Sequence, residues 1–169
     1  MVTIRPEETK DYPTVRKVNE LAFEDSTEAS LVEALRSEAD PYISLVAVEN
    51  GEVIGHIFFS PVSIENPGET GLALGLAPMA VKPFHQRQGV GSLLVTQGLK
   101  EGERLGAEIV VVLGHRNYYP RFGFRPAAEV GLACEYDVAP EEFMTLELKE
   151  GALKSVSGLV RYHKAFSTL

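Results

Sequence analysis

The chain has 169 residues, a length suited to one domain spanning 1–169. Its 24 acidic residues against 16 basic ones give a net charge of -8, which argues against nonspecific binding to nucleic acid or to an anionic membrane and would suit a cationic partner such as an amine. A hydrophobic fraction of 44 % supplies a core, yet no apolar run reaches the ~18 residues of a bilayer span. Met1 to Glu8 lacks the apolar centre of a signal peptide. A single cysteine, Cys134, leaves no intrachain disulfide and fits a reducing cytoplasm.

In chain order, Val2 to Arg5 can form a first strand. Asp11 to Phe23 carries Val15, Val18, Leu21 and Ala22 at helical spacing, with Asp11 as N-cap and Pro13 in the first turn. Ser26 to Glu38 predicts a second helix with Leu31, Val32 and Leu35 on one face. Ile43 to Val48 and Val53 to Ile64 read as strands joined at Asn50-Gly51, a strong hairpin signal. A loop from Asn66 to Gly71 precedes another strand, Leu72 to Val81. Pro78 cannot donate to a ladder and belongs at an edge or bulge. Ser92 to Leu105 predicts a helix with Leu93, Leu94 and Leu99 toward the core. Glu108 to Leu113 is a continuous apolar run, as expected of a strand covered on both faces and parallel to the strand before the helix. Arg116 to Phe122 is a short helical segment, and Phe143 to Leu148 and Val156 to Phe166 close the chain as strands.

The stretch Gln86-Arg87-Gln88-Gly89-Val90-Gly91 joins a strand to a helix. Such a turn presents backbone N–H groups at the positive end of a helix, a site for an anion such as a pyrophosphate. Gly89 and Gly91 let the backbone approach without a Cβ in the way. The loop is neither a dinucleotide fingerprint, since Leu94 stands where the third glycine would fall, nor a P-loop, since no Lys follows Gly91.

The pattern Q-x-x-G-x-G at Gln86, Gly89 and Gly91 resembles the pyrophosphate loop of the GNAT superfamily of acyl-CoA-dependent N-acetyltransferases. Tyr119, four residues ahead of Gly123-Phe124, resembles the tyrosine that this superfamily places beside the coenzyme's sulfur. Gly55 to Val62, Leu113-Gly114 ahead of Tyr118-Tyr119, and the C-terminal segments are similar to the YhbS-like branch. The resemblance spans about residues 2 to 166 and implies an α/β fold with a mixed central sheet flanked by helices, in which a splayed parallel strand pair forms the acyl-CoA cleft. It implies acetyl-CoA as co-substrate, no metal, and a primary amine of a small molecule or peptide as acceptor, with no nucleic acid or membrane partner. Homodimers are frequent in the superfamily, so a homodimer is also to be considered. A non-catalytic acyl-CoA sensor, or transfer of another acyl group, is the alternative.

The resemblance places the coenzyme against Gln86, Arg87, Gln88, Gly89, Val90, Gly91 and Ser92, against the strand at Met79, Ala80 and Val81, and beside Asn117 and Tyr119. Many members carry an asparagine where this chain has Val112, and Asn117 is the amide nearest to that role. Acetyl transfer to an amine needs a base, because an alkylamine has a pKa of roughly 10. It also needs a donor for the oxyanion, here a backbone N–H in Met79 to Val81, and a donor for the departing thiolate, here the Tyr119 phenol. Tyr118 reads as a substrate-side or a core aromatic, with core preferred. The base is open: Glu24 and Asp25 lie where the family binds its acceptor, His56 has a suitable pKa class in an apolar strand where a structural role is favoured, His85 and His115 flank the two motifs and read as surface residues, and a water chain could serve.

Overall fold

The computed structural model describes residues 1–168, so that Leu169, the end of the expected domain span, lies outside the described residues. Strand β1 (Val2–Pro6) leads into helices α1 (Tyr12–Phe23) and α2 (Thr27–Glu38). Strands β2 (Ile43–Glu49), β3 (Glu52–Pro61), β4 (Ser63–Asn66) and β5 (Leu72–Val81) follow, then α3 (Val90–Leu105) and β6 (Ala107–Leu113). The chain closes with β7 (Arg125–Pro126), β8 (Leu132–Cys134), β9 (Phe143–Glu147) and β10 (Ser157–Arg161), with short 3-10 turns between them. A seven-stranded sheet has the order β1-β2-β3-β5-β6-β9-β7, and a second sheet of three strands runs β4-β10-β8. Most pairs are antiparallel, while β5–β6 in the large sheet and β8–β10 in the small one are parallel.

Side-chain period explains the layers. Val15, Val18, Leu31, Val32 and Leu35 of α1 and α2 pack with Phe58, Ile109 and Val111 on one face. Val90, Leu94 and Val95 of α3 pack with Ile57, Phe59, Val110 and Val112 on the other. The continuous run in β6 is thus buried on both faces, as its composition required. Gly98 faces the Phe59 ring, which occupies the space a Cβ would need.

Several elements differ from expectation for local reasons. Val53 to Ile64 is two strands in two sheets, because Pro61 cannot donate and the Val62 N–H turns to the Ala73 carbonyl. Leu93 is 46 % exposed, since the buried stripe of α3 runs through Val90, Leu94, Val95, Gly98 and Gly102. Asp11 does not cap α1 with its side chain. Its carboxylate accepts the Glu8 N–H at 2.7 Å and both Arg5 guanidinium nitrogens at 2.7 and 3.0 Å. That pairing holds Asp11 below the ordinary carboxylate pKa. Val156 to Phe166 is a strand only over β10; a 3-10 turn at Lys164–Thr168 folds Phe166 back toward α2. Residues 125–142, unassigned from sequence, supply β7 and β8.

His56 of β3 is fully buried within a polar chain. Arg36 donates to Glu7 at 3.1 and 2.7 Å, and the Ser44 hydroxyl donates to Glu7 at 2.9 Å. With that proton committed, His56 Nε2–H donates to Ser44 Oγ at 2.8 Å, and Nδ1 accepts from Asn19 Nδ2 at 3.4 Å. Burial, and secondarily the Arg36 charge, push the His56 pKa down from 6.5 to about 3. The unfolded chain therefore takes up this proton near 6.5 and the folded chain only near 3. Between those values the unfolded state holds more protons, so stability is lost as pH falls. We expect urea denaturation to give about 2 kcal/mol less stability at pH 5 than at pH 7 from this residue. His56→Gln should flatten that slope, and an unchanged slope would contradict the assignment.

Candidate active site

The ladder between β5 and β6 runs from Leu72↔Ala107 to Leu76↔Val112 and stops there. Strand β5 continues to Val81, held on its other side by β3 through Met79↔Ile57, Ala80↔His56 and Val81↔Gly55. The cause is local. A register shift in the β3–β5 pairing falls at Ala77-Pro78, so the proline sits in a bulge that carries β5 away from β6. The edge of Met79 to Val81 on the β6 side is left without a ladder partner.

The glycine loop caps this edge. Gln86 Nε2 donates to the Val81 carbonyl at 2.9 Å, tying the loop to the end of β5. Arg87 (φ 61) and Gly89 (φ 85) both adopt left-handed conformations, and Gly89 is the N-cap of α3. Gln86, Arg87, Gln88 and Gly89 are exposed. Helix α3 begins at Val90 rather than Ser92, so Val90, Gly91 and Ser92 form its first turn, where N–H groups have no intrahelical partner. Val90 points its side chain into the core, so only its backbone faces the loop side. No carboxylate lies between Lys82 and Lys100, so the turn can receive an anion. At Gly91 a Cβ would lie 3.2 Å from the Tyr118 hydroxyl and 3.5 Å from Met79 Cε, so the glycine preserves a close approach between helix, strand and tyrosine.

The aromatic motif lies opposite. Tyr118 is half-buried, a correction to its reading as core: its hydroxyl lies 3.0 Å from Ser92 Oγ, and its ring meets Tyr119 edge-on at 5.0 Å. Arg121 donates to the Tyr118 carbonyl at 2.8 Å and stacks over the Tyr118 ring at 4.5 Å. Tyr119 is 8 % exposed and packs on Gly114, where a Cβ would meet its ring. Burial pushes its pKa up to about 12.

A cavity of about 410 Å³ joins these parts, lined by Met79, Tyr118 and Tyr119 together with Phe23, Glu28 and Phe166. It opens where β5 and β6 part. Its walls come from both faces of the sheet, since Phe166 and Leu31 belong to the α1–α2 layer and Tyr119 to the α3 layer.

Glu28, which sequence reasoning missed, is the carboxylate of this lining. Desolvation, and then the Asp25 charge, raise its pKa. Glu24 and Asp25 are exposed and outside the lining: Glu24 is the left-handed C-cap of α1, and Asp25 accepts the Thr27 N–H at 2.9 Å. His56 is also outside it, sealed in its own network. Asn117 is exposed and lines a separate pocket with Glu141 and Glu142. A larger cavity of about 520 Å³ lies between Pro6, Tyr42, Ser44 and the end of α3 at Glu101, Arg104 and Leu105. Its charges are already paired, Glu7 with Arg36 and Arg104 with Glu101, and α3 presents its negative end there. Among the described residues no cluster of His, Cys, Asp and Glu could hold a metal ion, and no helix is long and apolar enough to cross a membrane.

Comparison with known proteins agrees with this geometry. Residues 3–127 match the model of the acetyltransferase (GNAT) domain. The chain is 38 % identical over 165 residues to the N-acetyltransferase YhbS of Escherichia coli K12, covering 97 % of this chain and 98 % of that protein. It is 39 % identical over 135 residues to a second N-acetyltransferase of that organism, YjhQ, covering 78 % of this chain and 74 % of that one. The crystal structure of Escherichia coli YhbS in complex with CoA superimposes with a TM-score of 0.90 at 36 % identity, covering 98 % of this chain and 92 % of that chain. A Brucella melitensis GNAT acetyltransferase in complex with acetyl-CoA gives a TM-score of 0.79 at 37 % identity, covering 98 % of both chains. Parted parallel strands, a glycine loop at a helix start and a tyrosine beside the gap thus accompany the sequence match, and the chain belongs to the GNAT family of N-acetyltransferases.

Proposed function

We propose that this protein transfers the acetyl group of acetyl-CoA to a primary amine in the gap between β5 and β6. The observation that carries the reading is that gap, with the loop Gln86 to Gly91 at one end and Tyr119 and Glu28 in its walls. The first-turn amides of α3 and the loop hold the pyrophosphate. The free edge of β5 at Met79 to Val81 receives the pantetheine arm and supplies a backbone donor to the oxyanion. Acetyl-CoA brings the activated carbonyl. Glu28 takes one proton from the bound ammonium, the neutral nitrogen bonds to the carbonyl carbon, the C–S bond breaks with its electron pair on sulfur, and the second N–H proton passes to the thiolate, directly or through water. A cavity carboxylate with a raised pKa and an amine with a pKa lowered by the same desolvation are better matched than they are in water. A reducing cytoplasm suits the single thiol.

Tyr119 serves the leaving group. Its pKa of about 12 keeps it protonated. A thiol has a pKa of about 8.5, so outright proton transfer from this phenol to the thiolate is uphill, and the phenol instead stabilises the thiolate by a hydrogen bond. We expect Tyr119→Phe to lower kcat about 10- to 100-fold with the KM for acetyl-CoA little changed. Tyr118→Phe, which removes a hydroxyl at Ser92 and Gly91, should act on that KM instead. Steady-state kinetics of the two variants checks this, and a Tyr119→Phe enzyme with full kcat would reduce Tyr119 to packing.

The function is tested by measuring free thiol from acetyl-CoA with a panel of amines, and the N-acetylated product by mass spectrometry. Amine-dependent thiol release matched by product is expected. Coenzyme binding with no thiol release would favour an acyl-CoA sensor, and turnover only with another acyl-CoA would change the donor.

A further inference from the structure

The acceptor half of the cavity has a specific chemistry. Its walls on the α1–α2 face are Phe23 at the end of α1, Leu31 of α2, Phe166 from the C-terminal turn, and Pro78. Leu31 is 4 % and Phe166 8 % exposed, while Phe23 stands at the rim at 37 %. Phe166 is backed by the Tyr162 ring at 5.2 Å, which fixes it as a wall. Within this apolar surface the cavity lining holds one carboxylate, Glu28. Of the neighbouring acids, Asp25 stands outside the lining, accepting the Thr27 N–H while lying close enough to Glu28 to raise its pKa, and Glu24 is exposed at the αL cap of α1.

A protonated amine can pair with Glu28, and the atoms behind it meet Phe23, Leu31 and Phe166. An apolar arm there gains from leaving water. A second ammonium set among Leu31 and Phe166, away from that carboxylate, would lose its water without an ion pair, which is unfavourable. One carboxylate in an apolar wall therefore selects for one charge on an apolar body, and against diamines and polyamines.

We propose that the acceptor is a primary amine with a single positive charge carried on an aromatic or aliphatic arm. The assignment rests on the acetyltransferase reading of the same cavity. A small arylalkylamine and a peptide opening on phenylalanine share this chemistry, and the test separates them.

The experiment measures kcat/KM with acetyl-CoA for 2-phenylethylamine, 1,4-diaminobutane, spermidine and the peptide Phe-Gly-Gly, reading thiol release and acetylated product. We expect 2-phenylethylamine or the peptide to exceed the diamine and spermidine at least tenfold, and the ratio between the first two to give the source. Phe23→Glu puts a second carboxylate at the rim, on a side chain the core does not enclose. It should move the ratio of 1,4-diaminobutane to 2-phenylethylamine at least tenfold toward the diamine. Clear turnover with the diamine or spermidine preferred, or a ratio unmoved in folded Phe23→Glu, would overturn the assignment and leave acetyl transfer standing. No turnover with any amine would overturn both.

Discussion

Glu28→Gln is expected to lower kcat about 10²- to 10⁴-fold near neutral pH, the range typical of a lost general base. The sign of the pH effect follows from the raised carboxylate pKa. The base works only when deprotonated, so the rate of the unmodified enzyme should rise through a pKa above the ordinary carboxylate value. The glutamine variant has no such group, and its rate should depend on the small fraction of amine already neutral. That fraction grows tenfold per pH unit toward a pKa of roughly 10, so the deficit should shrink as pH rises. Rate profiles from pH 5 to 9.5 check this. Parallel profiles for the two enzymes would remove Glu28 from the proton path, and a limb lost in His56→Gln would assign the base to a residue the structure seals away.

Gly89→Glu is expected to raise the Kd for acetyl-CoA at least 100-fold while the protein stays folded. Gly89 stands at φ 85, and a Cβ there meets nothing within 4 Å. Sterics in the free protein are thus mild, and the backbone cost for an L-residue is roughly 1–2 kcal/mol. The larger effect is charge. A carboxylate about 4 Å from a phosphate oxygen is opposed by about 4 kcal/mol at an effective dielectric near 20. Gly89→Ala separates the two, since it carries the strain and not the charge, and should lose far less. Titration calorimetry on each variant decides it, and an unchanged Kd in Gly89→Glu would take the pyrophosphate away from this loop.

What could be read in the sequence was the part written in the backbone. Gln86 to Gly91 announces a turn into a helix because glycine tolerates φ values that other residues resist, and the structure places Gly89 at such a value. The run Glu108 to Leu113 announces a strand buried on both faces, and β6 is one. Pro78 announced an irregularity, which proved to be the bulge that ends the β5–β6 ladder. What sequence could not show were meetings between distant segments. Glu28 reads as one more solvated helix carboxylate until α2 is packed beside the gap. Phe166 reads as the end of a strand, and becomes a cavity wall only because the chain turns at Lys164–Thr168. The choice between Tyr118 and Tyr119 depends on a 3-10 turn that buries one ring and leaves the other half-exposed. Asn117 matched a residue type, and the turn ahead of Tyr119 sets it beside Glu141 and Glu142.

Amide hydrogen exchange on adding CoA places the coenzyme directly. Protection is expected at Met79 to Val81, at Gln86 to Ser92 and around Tyr118-Tyr119, with the larger cavity at Pro6, Tyr42 and Leu105 unchanged. Protection centred on that larger cavity, with the β5 edge and the glycine loop exchanging as before, would contradict the account.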